Sequence, residues 1–152
     1  MQTRGTTLIL TCATILSGCF HTMEAPVNFV SVDRADLGSY TVRAVSADGM
    51  VIGLRTQDNP KRGTLAFWAE AVRNELVAGK GYNLVKAEDV TAAPGRPGRL
   101  MQFAATDRGA DFTYLLAVYV TDYSVLLAEA GGKKEAVAAR EEDIRRCLLS
   151  AR

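Results

Sequence analysis

Histidine is almost missing from this chain: His21 is the only one in 152 residues, tryptophan is as rare, and cysteine (three) is scarcely commoner. Zinc and copper sites draw on several imidazole and thiolate donors, so neither is expected, and no metal ligand is assigned. A Cys-His or Ser-His pair has no fixed base to use, because His21 stands six residues ahead of the first expected strand. Charge of one sign is lacking too. Lys and Arg number 18 and Asp and Glu 17, for a net charge of +1. Proteins that hold DNA or RNA neutralise many phosphates, so no nucleic-acid partner is expected. The chain contains no Gly-x-x-x-x-Gly-Lys-Ser/Thr run, no dinucleotide fingerprint and no Gly-x-Ser-x-Gly elbow. Phosphate-cradling and serine-hydrolase chemistry therefore have no starting point. No cofactor and no catalytic residue is assigned.

What is present begins at the N-terminus. Arg4 supplies a positive charge, residues 6–15 a short apolar stretch, and small residues follow. The stretch is too short for a bilayer, which takes about 20 apolar residues. Leu16, Ser17, Gly18 and Cys19 match the bacterial lipobox at all four positions. That resemblance implies cleavage between Gly18 and Cys19, a thioether from the Cys19 thiol to diacylglycerol, and acylation of the new amino group. Two or three acyl chains anchor a protein where one does not.

The expected organisation is a removed signal over residues 1–18, a lipidated N-terminus and short tether over 19–26, and one globular domain over 27–152. The 134 residues left after cleavage suit one core, and they carry 17 basic and 17 acidic groups. The tether reaches no more than about 25 Å. Its partner is the membrane, through the lipid. Phe20, where an Asp would favour inner-membrane retention, points to the periplasmic face of the outer membrane if the source has two membranes. Of the cysteines, Cys12 leaves with the signal and Cys19 takes lipid, so Cys147 is alone and is expected to be a small buried hydrophobe.

Within the domain, strand formers at residues 40–45 and 50–55 flank Asp48-Gly49, the signal of a β-hairpin. Leu65, Trp68, Ala69, Val72 and Leu76 then make the stripe of an amphipathic helix that starts near Thr64 and stops at Gly79 and Gly81. Strands are expected at 82–90, 100–106, 112–121 and 123–129, bounded by Pro94-Gly95-Arg96-Pro97-Gly98, Asp107-Arg108-Gly109 and Thr121-Asp122. Residues 112–120 are apolar at both parities, so that strand is covered on both faces. The covers are the first helix and a second at 133–149. The charges of that second helix pair Glu141 with Arg145 and Glu142 with Arg146 on an outer face. The fold class is α+β: a three-layer α/β/α sandwich with an antiparallel sheet of about six strands between two helices.

This arrangement resembles the PsbP-like family. The resemblance is carried by Phe67-Trp68 and Leu76 in the first helix, Gly81-Tyr82 at its end, the Gly95-Arg96-Pro97-Gly98-Arg99 turn, and Ala130-Gly131-Gly132 before the last helix. It implies an antiparallel sheet held between helices over roughly residues 37–149. It also implies a protein-binding rather than catalytic role, as in an extrinsic photosystem subunit and a Ran-binding protein.

Candidate contact residues are few. Arg96, Arg99 and Arg108 form the one basic feature, able to meet anionic headgroups or an acidic partner if they lie together. Asp33, Asp36 and Asp48, or Glu88 and Asp89, are read as caps, turns and solvated faces rather than an acid–base pair. The expected function is a lipid-anchored, non-enzymatic module that docks an envelope protein. The alternatives are a small-ligand carrier or sensor with a pocket between sheet and helix, and an enzyme whose polar groups only coordinates would bring together.

Overall fold

The computed structural model describes residues 21–93 and 95–152, so the expected cleavage and lipidation residues, Gly18 and Cys19, lie outside the described residues. Seven strands form one antiparallel sheet: β1 (Phe29–Ser31), β2 (Tyr40–Ser46), β3 (Val51–Asp58), β4 (Asn83–Thr91), β5 (Pro97–Asp107), β6 (Ala110–Val120) and β7 (Ser124–Lys133), in the spatial order β1-β2-β3-β7-β6-β5-β4. Helix α1 (Leu65–Asn74) covers one face, and α2 (Lys134–Ala138) with α3 (Glu141–Leu149) covers the other. The three-layer sandwich is as expected, with one strand more.

Local sequence explains most elements. Asp48-Gly49 turns the β2–β3 hairpin, with Gly49 at φ +84°, a region that glycine enters without strain. Thr64 caps α1, its hydroxyl accepting from the Phe67 amide at 3.2 Å. The helix widens into a π-helical turn at Glu75–Gly79 and ends at Gly81, whose φ is +71°. Along β6 the alternation sorts the core: Leu116 and Val118 pack under α1, and Leu115, Ala117 and Tyr119 under α2 and α3. Both faces of that strand are dry, as its composition required.

Three expectations need correction. The final helix is not continuous over 133–149. β7 runs on through Ala130-Gly131-Gly132 to Lys133, and a turn at Ala139 and Arg140 separates α2 from α3. Arg140 takes φ −130° there and donates to Asp48 at 2.8 Å across the β2–β3 hairpin. Arg145 does not meet Glu141; it reaches Glu88 on β4 at 2.7 Å, while Arg146 does pair with Glu142 at 3.4 Å.

Part of the segment expected as a tether also packs on the domain. Residues 22–24 are built into the domain: Thr22 and Arg152 exchange two backbone hydrogen bonds of 2.8 and 3.0 Å. The Glu24 amide donates to the Ser150 hydroxyl at 2.8 Å, and Met23 is buried in the core beneath α3. An apolar side chain and ready backbone partners at the C-terminal end of α3 hold the segment down.

Candidate functional site

Among the described residues the one charged side chain that is buried is Glu129 on β7, only 6% exposed. Its strand neighbours are Gly53 on β3 and Leu116 on β6. A side chain on Gly53 would stand 2.5 Å from the ring of Tyr40, and one on Gly131 would stand 3.2 Å from the ring of Tyr114. The two glycines thus leave room for two tyrosines to lie across the sheet with their hydroxyls at one carboxylate. Tyr40 donates to Oε1 of Glu129, and Tyr114 donates to Oε2 at 2.5 Å. The Arg55 guanidinium adds a third donor to Oε2 at 2.8 Å. A buried carboxylate requires such partners. Arg43 and Arg55 also stack on the Tyr40 ring, 5.5 and 5.6 Å from its centre.

Burial pushes the Tyr40 phenol up to about 12, and the hydrogen bond and negative charge of Glu129 push in the same direction. Burial, followed by the charge and hydrogen bond of Glu129, raises Tyr114 still further. Both phenols therefore remain donors through the neutral range. With both carboxylate oxygens engaged, the group is closed on itself, and it stabilises the sheet more readily than it accepts a substrate proton.

Beside this group an open cleft of about 610 Å³ lies between the sheet and the chain leaving α1. Tyr40, Gly53, Tyr82, Phe112, Tyr114 and Glu129 contribute to its lining, with Lys80 at the rim. Its volume falls in the range of small-molecule sites. A carrier would have been excluded by a tightly packed interior; it is not.

The sequence singled out none of Tyr40, Arg55, Tyr114 and Glu129 as functional. One signal was available: Glu129 is the lone charge in the apolar strand from Val125 to Gly132, and a charge there must find partners.

The three arginines do not come together. Arg96 sits in the loop before β5, with one buried Nη that lacks a hydrogen-bond partner. Arg99 lies on β5 opposite Asp89 of β4, paired at 3.1 Å. Arg108 turns the β5–β6 hairpin at φ +49°. The length of β5, about 35 Å for a strand of this size, keeps Arg96 and Arg108 at opposite ends of the sheet. They are not one anion site.

Of the other candidates, Asp48 and Glu88 have structural partners: Asp48 pairs with Arg140, and Glu88 with Arg145 and Lys86. Cys147 is buried, and burial, with the charge of Glu24 as a lesser cause, pushes its thiol up to about 12. Such a thiol is inert near neutral pH. Trp68 is only partly core: it packs against the α1-side cluster while its indole N–H donates to Asn59 at 3.0 Å. Among the described residues no three His, Cys, Asp or Glu side chains gather where they could hold a metal ion, and no helix is long and apolar enough to cross a membrane.

No family model matches this sequence, and no curated protein is recognisably similar to it. The fold has clear counterparts among solved structures. The solution structure of cyanobacterial PsbP (CyanoP) from Synechocystis sp. PCC 6803 is similar with a TM-score of 0.64, at 11% identity, over 88% of this chain and 86% of that one. LpqN of Mycobacterium tuberculosis, described as involved in cell envelope biogenesis, gives a TM-score of 0.64 at 12% identity over 84% of this chain and 79% of its own. Identity at this level speaks for architecture alone. The architecture of this chain is thus the one seen in PsbP and LpqN, an antiparallel sheet clasped between helices.

Proposed function

We propose that this chain is an envelope lipoprotein, anchored through Cys19 and acting as a non-enzymatic module that docks or stabilises another envelope protein. The observation that carries the non-enzymatic reading is the closure of the Glu129 group. The most polar buried constellation among the described residues spends both carboxylate oxygens on Tyr40, Tyr114 and Arg55. The anchor reading is supported by the lipobox tetrapeptide in the sequence and by Thr22, three residues after Cys19, which is hydrogen-bonded to the domain at Arg152. The envelope-biogenesis role described for LpqN, a protein of the same architecture, agrees with it.

Two experiments test the reading. Mass spectrometry of the native N-terminus should find a diacylglyceryl Cys19 with residues 1–18 removed. Cys19→Ser should accumulate as an unlipidated precursor released from membranes. A free thiol at Cys19 with the leader intact refutes the anchor. Crosslinking in intact membranes should enrich a specific partner over a control lipoprotein, and no enrichment refutes the docking role.

A second reading, a tethered small-ligand carrier, is favoured by the open cleft of about 610 Å³ beside Tyr40 and Tyr114. Ligand extracted with the native protein, and lost in a variant that fills the cleft from its exposed side such as Thr106→Trp, would select it over the first.

A further inference from the structure

One end of the sheet collects features that the cleft and the Glu129 group do not use. Strands β3, β4 and β6 finish there, and β5 and β7 begin. The loop at residues 59–63 is fastened to the turn at 121–124. Asn59, buried, donates its side-chain amide to the carbonyls of Thr121 and Gly63, and it accepts from the Gly63 amide and the Trp68 indole. Its own amide donates to the Tyr123 carbonyl at 2.8 Å. This bracket holds Phe67 and Tyr123 out in solvent, 61% and 75% exposed, and they are the only strongly exposed aromatic side chains among the described residues. Phe67 packs edge-on against Trp68 with ring centres 5.5 Å apart, beside a shallow depression lined also by Pro60 and Lys61. Ordered exposure of aromatic surface on a rigid frame marks a contact face.

The same end receives the N-terminal segment. The Ala93 amide, in the loop before β5, donates to the Leu149 carbonyl at the close of α3, and the next residues of that terminus carry the Thr22–Arg152 pairing. Only Phe20 and His21 stand between Cys19 and Thr22, a span of at most about 11 Å. The headgroup layer is only about 5–7 Å thick on each side of the hydrocarbon. A lipid on Cys19 therefore brings this end of the domain against the membrane surface. Charge at the end is nearly balanced: Lys61, Arg62, Arg96 and Arg152 stand against Asp58, Asp122 and Glu24. The attraction is then interfacial rather than ionic, and tyrosine and tryptophan are the residues that favour that layer.

We propose that this end of the domain, with Phe67, Trp68 and Tyr123 at its tip, seats in the headgroup layer of the bilayer that holds the anchor. The inference rests on the lipoprotein reading and goes beyond it, because it fixes the orientation of the domain: strands upright, with the Tyr40 and Tyr114 cleft carried toward the far end. It leaves that far end free for a partner.

Trp68 is the only tryptophan in the chain and reports on the tip directly. The lipidated protein, purified from membranes, would be reconstituted in phosphatidylethanolamine–phosphatidylglycerol vesicles with and without shallowly brominated acyl chains. The expected result is loss of Trp68 emission in the brominated vesicles. The double variant Phe67→Ser, Tyr123→Ser should float with the vesicles as before but escape the quenching. Wild-type protein that floats with the vesicles and keeps full emission overturns the seating while the anchor stands. Failure to float overturns the anchor reading and the seating together. Shielding of Trp68 from acrylamide that rises with protein concentration in the absence of lipid assigns the tip to a second copy and overturns the bilayer as its occupant.

Discussion

The two faces of the sheet are kept dry by different means. Under α2 and α3 the packing is continuous and aliphatic: Ile52, Leu54, Leu126, Ile144 and Leu148 are all inaccessible to solvent. On the opposite face α1 reaches only the part built around β5, β6 and the start of β7. The remaining surface carries no helix. There Tyr40 and Tyr114 lie over glycines and meet Glu129 and Arg55, so rings and hydrogen bonds stand where a helix would otherwise pack. A half-covered face of this kind is solvent-tolerant and remains available for contact, whereas the aliphatic face is committed to holding the molecule together.

Substitutions on each side should separate the two. The largest loss is expected from Ile144→Ala in α3, which empties a fully buried site and should cost about 3–4 kcal/mol, read from urea unfolding. Gly53→Ala should cost about 2 kcal/mol by overpacking, since the new methyl would stand 2.5 Å from the Tyr40 ring; a Tyr40→Ala background should relieve it, and a double-mutant cycle measures the coupling. Glu129→Gln keeps one acceptor for a tyrosine but strands Arg55, for about 1–1.5 kcal/mol; equal unfolding midpoints for variant and wild type would mean that the ionic half contributes nothing.

The same variant changes the alkaline limb. Tyr40 titrates near 12 when folded and near 10 when unfolded, so its contribution is complete below pH 10 and disappears as pH rises toward 12. In Glu129→Gln the folded value should move down while staying above the unfolded one, because burial, the larger cause, persists. The phenolate absorbance of Tyr40→Phe difference spectra follows this. The smallest effect belongs to Arg99→Ala: its pair with Asp89 is solvent-facing, and less than about 0.5 kcal/mol is expected.

The sequence pattern carried the scaffold because each of its signals is local. Asp48-Gly49 specifies a hairpin, the stripe from Leu65 to Leu76 a helix, and the two-sided apolar run at 112–120 a central strand, whatever the rest of the chain does. β1 is legible only as a strand near Val27, and its bounds escaped because three residues give no period to read. The break at Ala139 and Arg140 escaped because nothing in it forbids helix; it is set by the Arg140–Asp48 contact 92 positions away. The Glu129 group is comparably long in range. Tyr40 is 89 positions from the carboxylate, and the lone acid in β7 marks a need for partners without naming them. The arginines failed for a geometrical reason: a turn cluster read along the chain does not reveal that β5 carries Arg96 and Arg108 to opposite ends.

The docking of residues 22–24 along α3 has a mechanical consequence. The segment is held by two backbone hydrogen bonds at Thr22, one at Glu24 and the buried Met23 side chain, arranged so that tension from the N-terminal side breaks them one after another. Peeling the chain as far as β1 would pay out about 20 Å of slack while the sheet stays intact. Such a seam acts as a short leash: it holds the chain around Thr22 close to the body at rest and lengthens under load before any strand is lost.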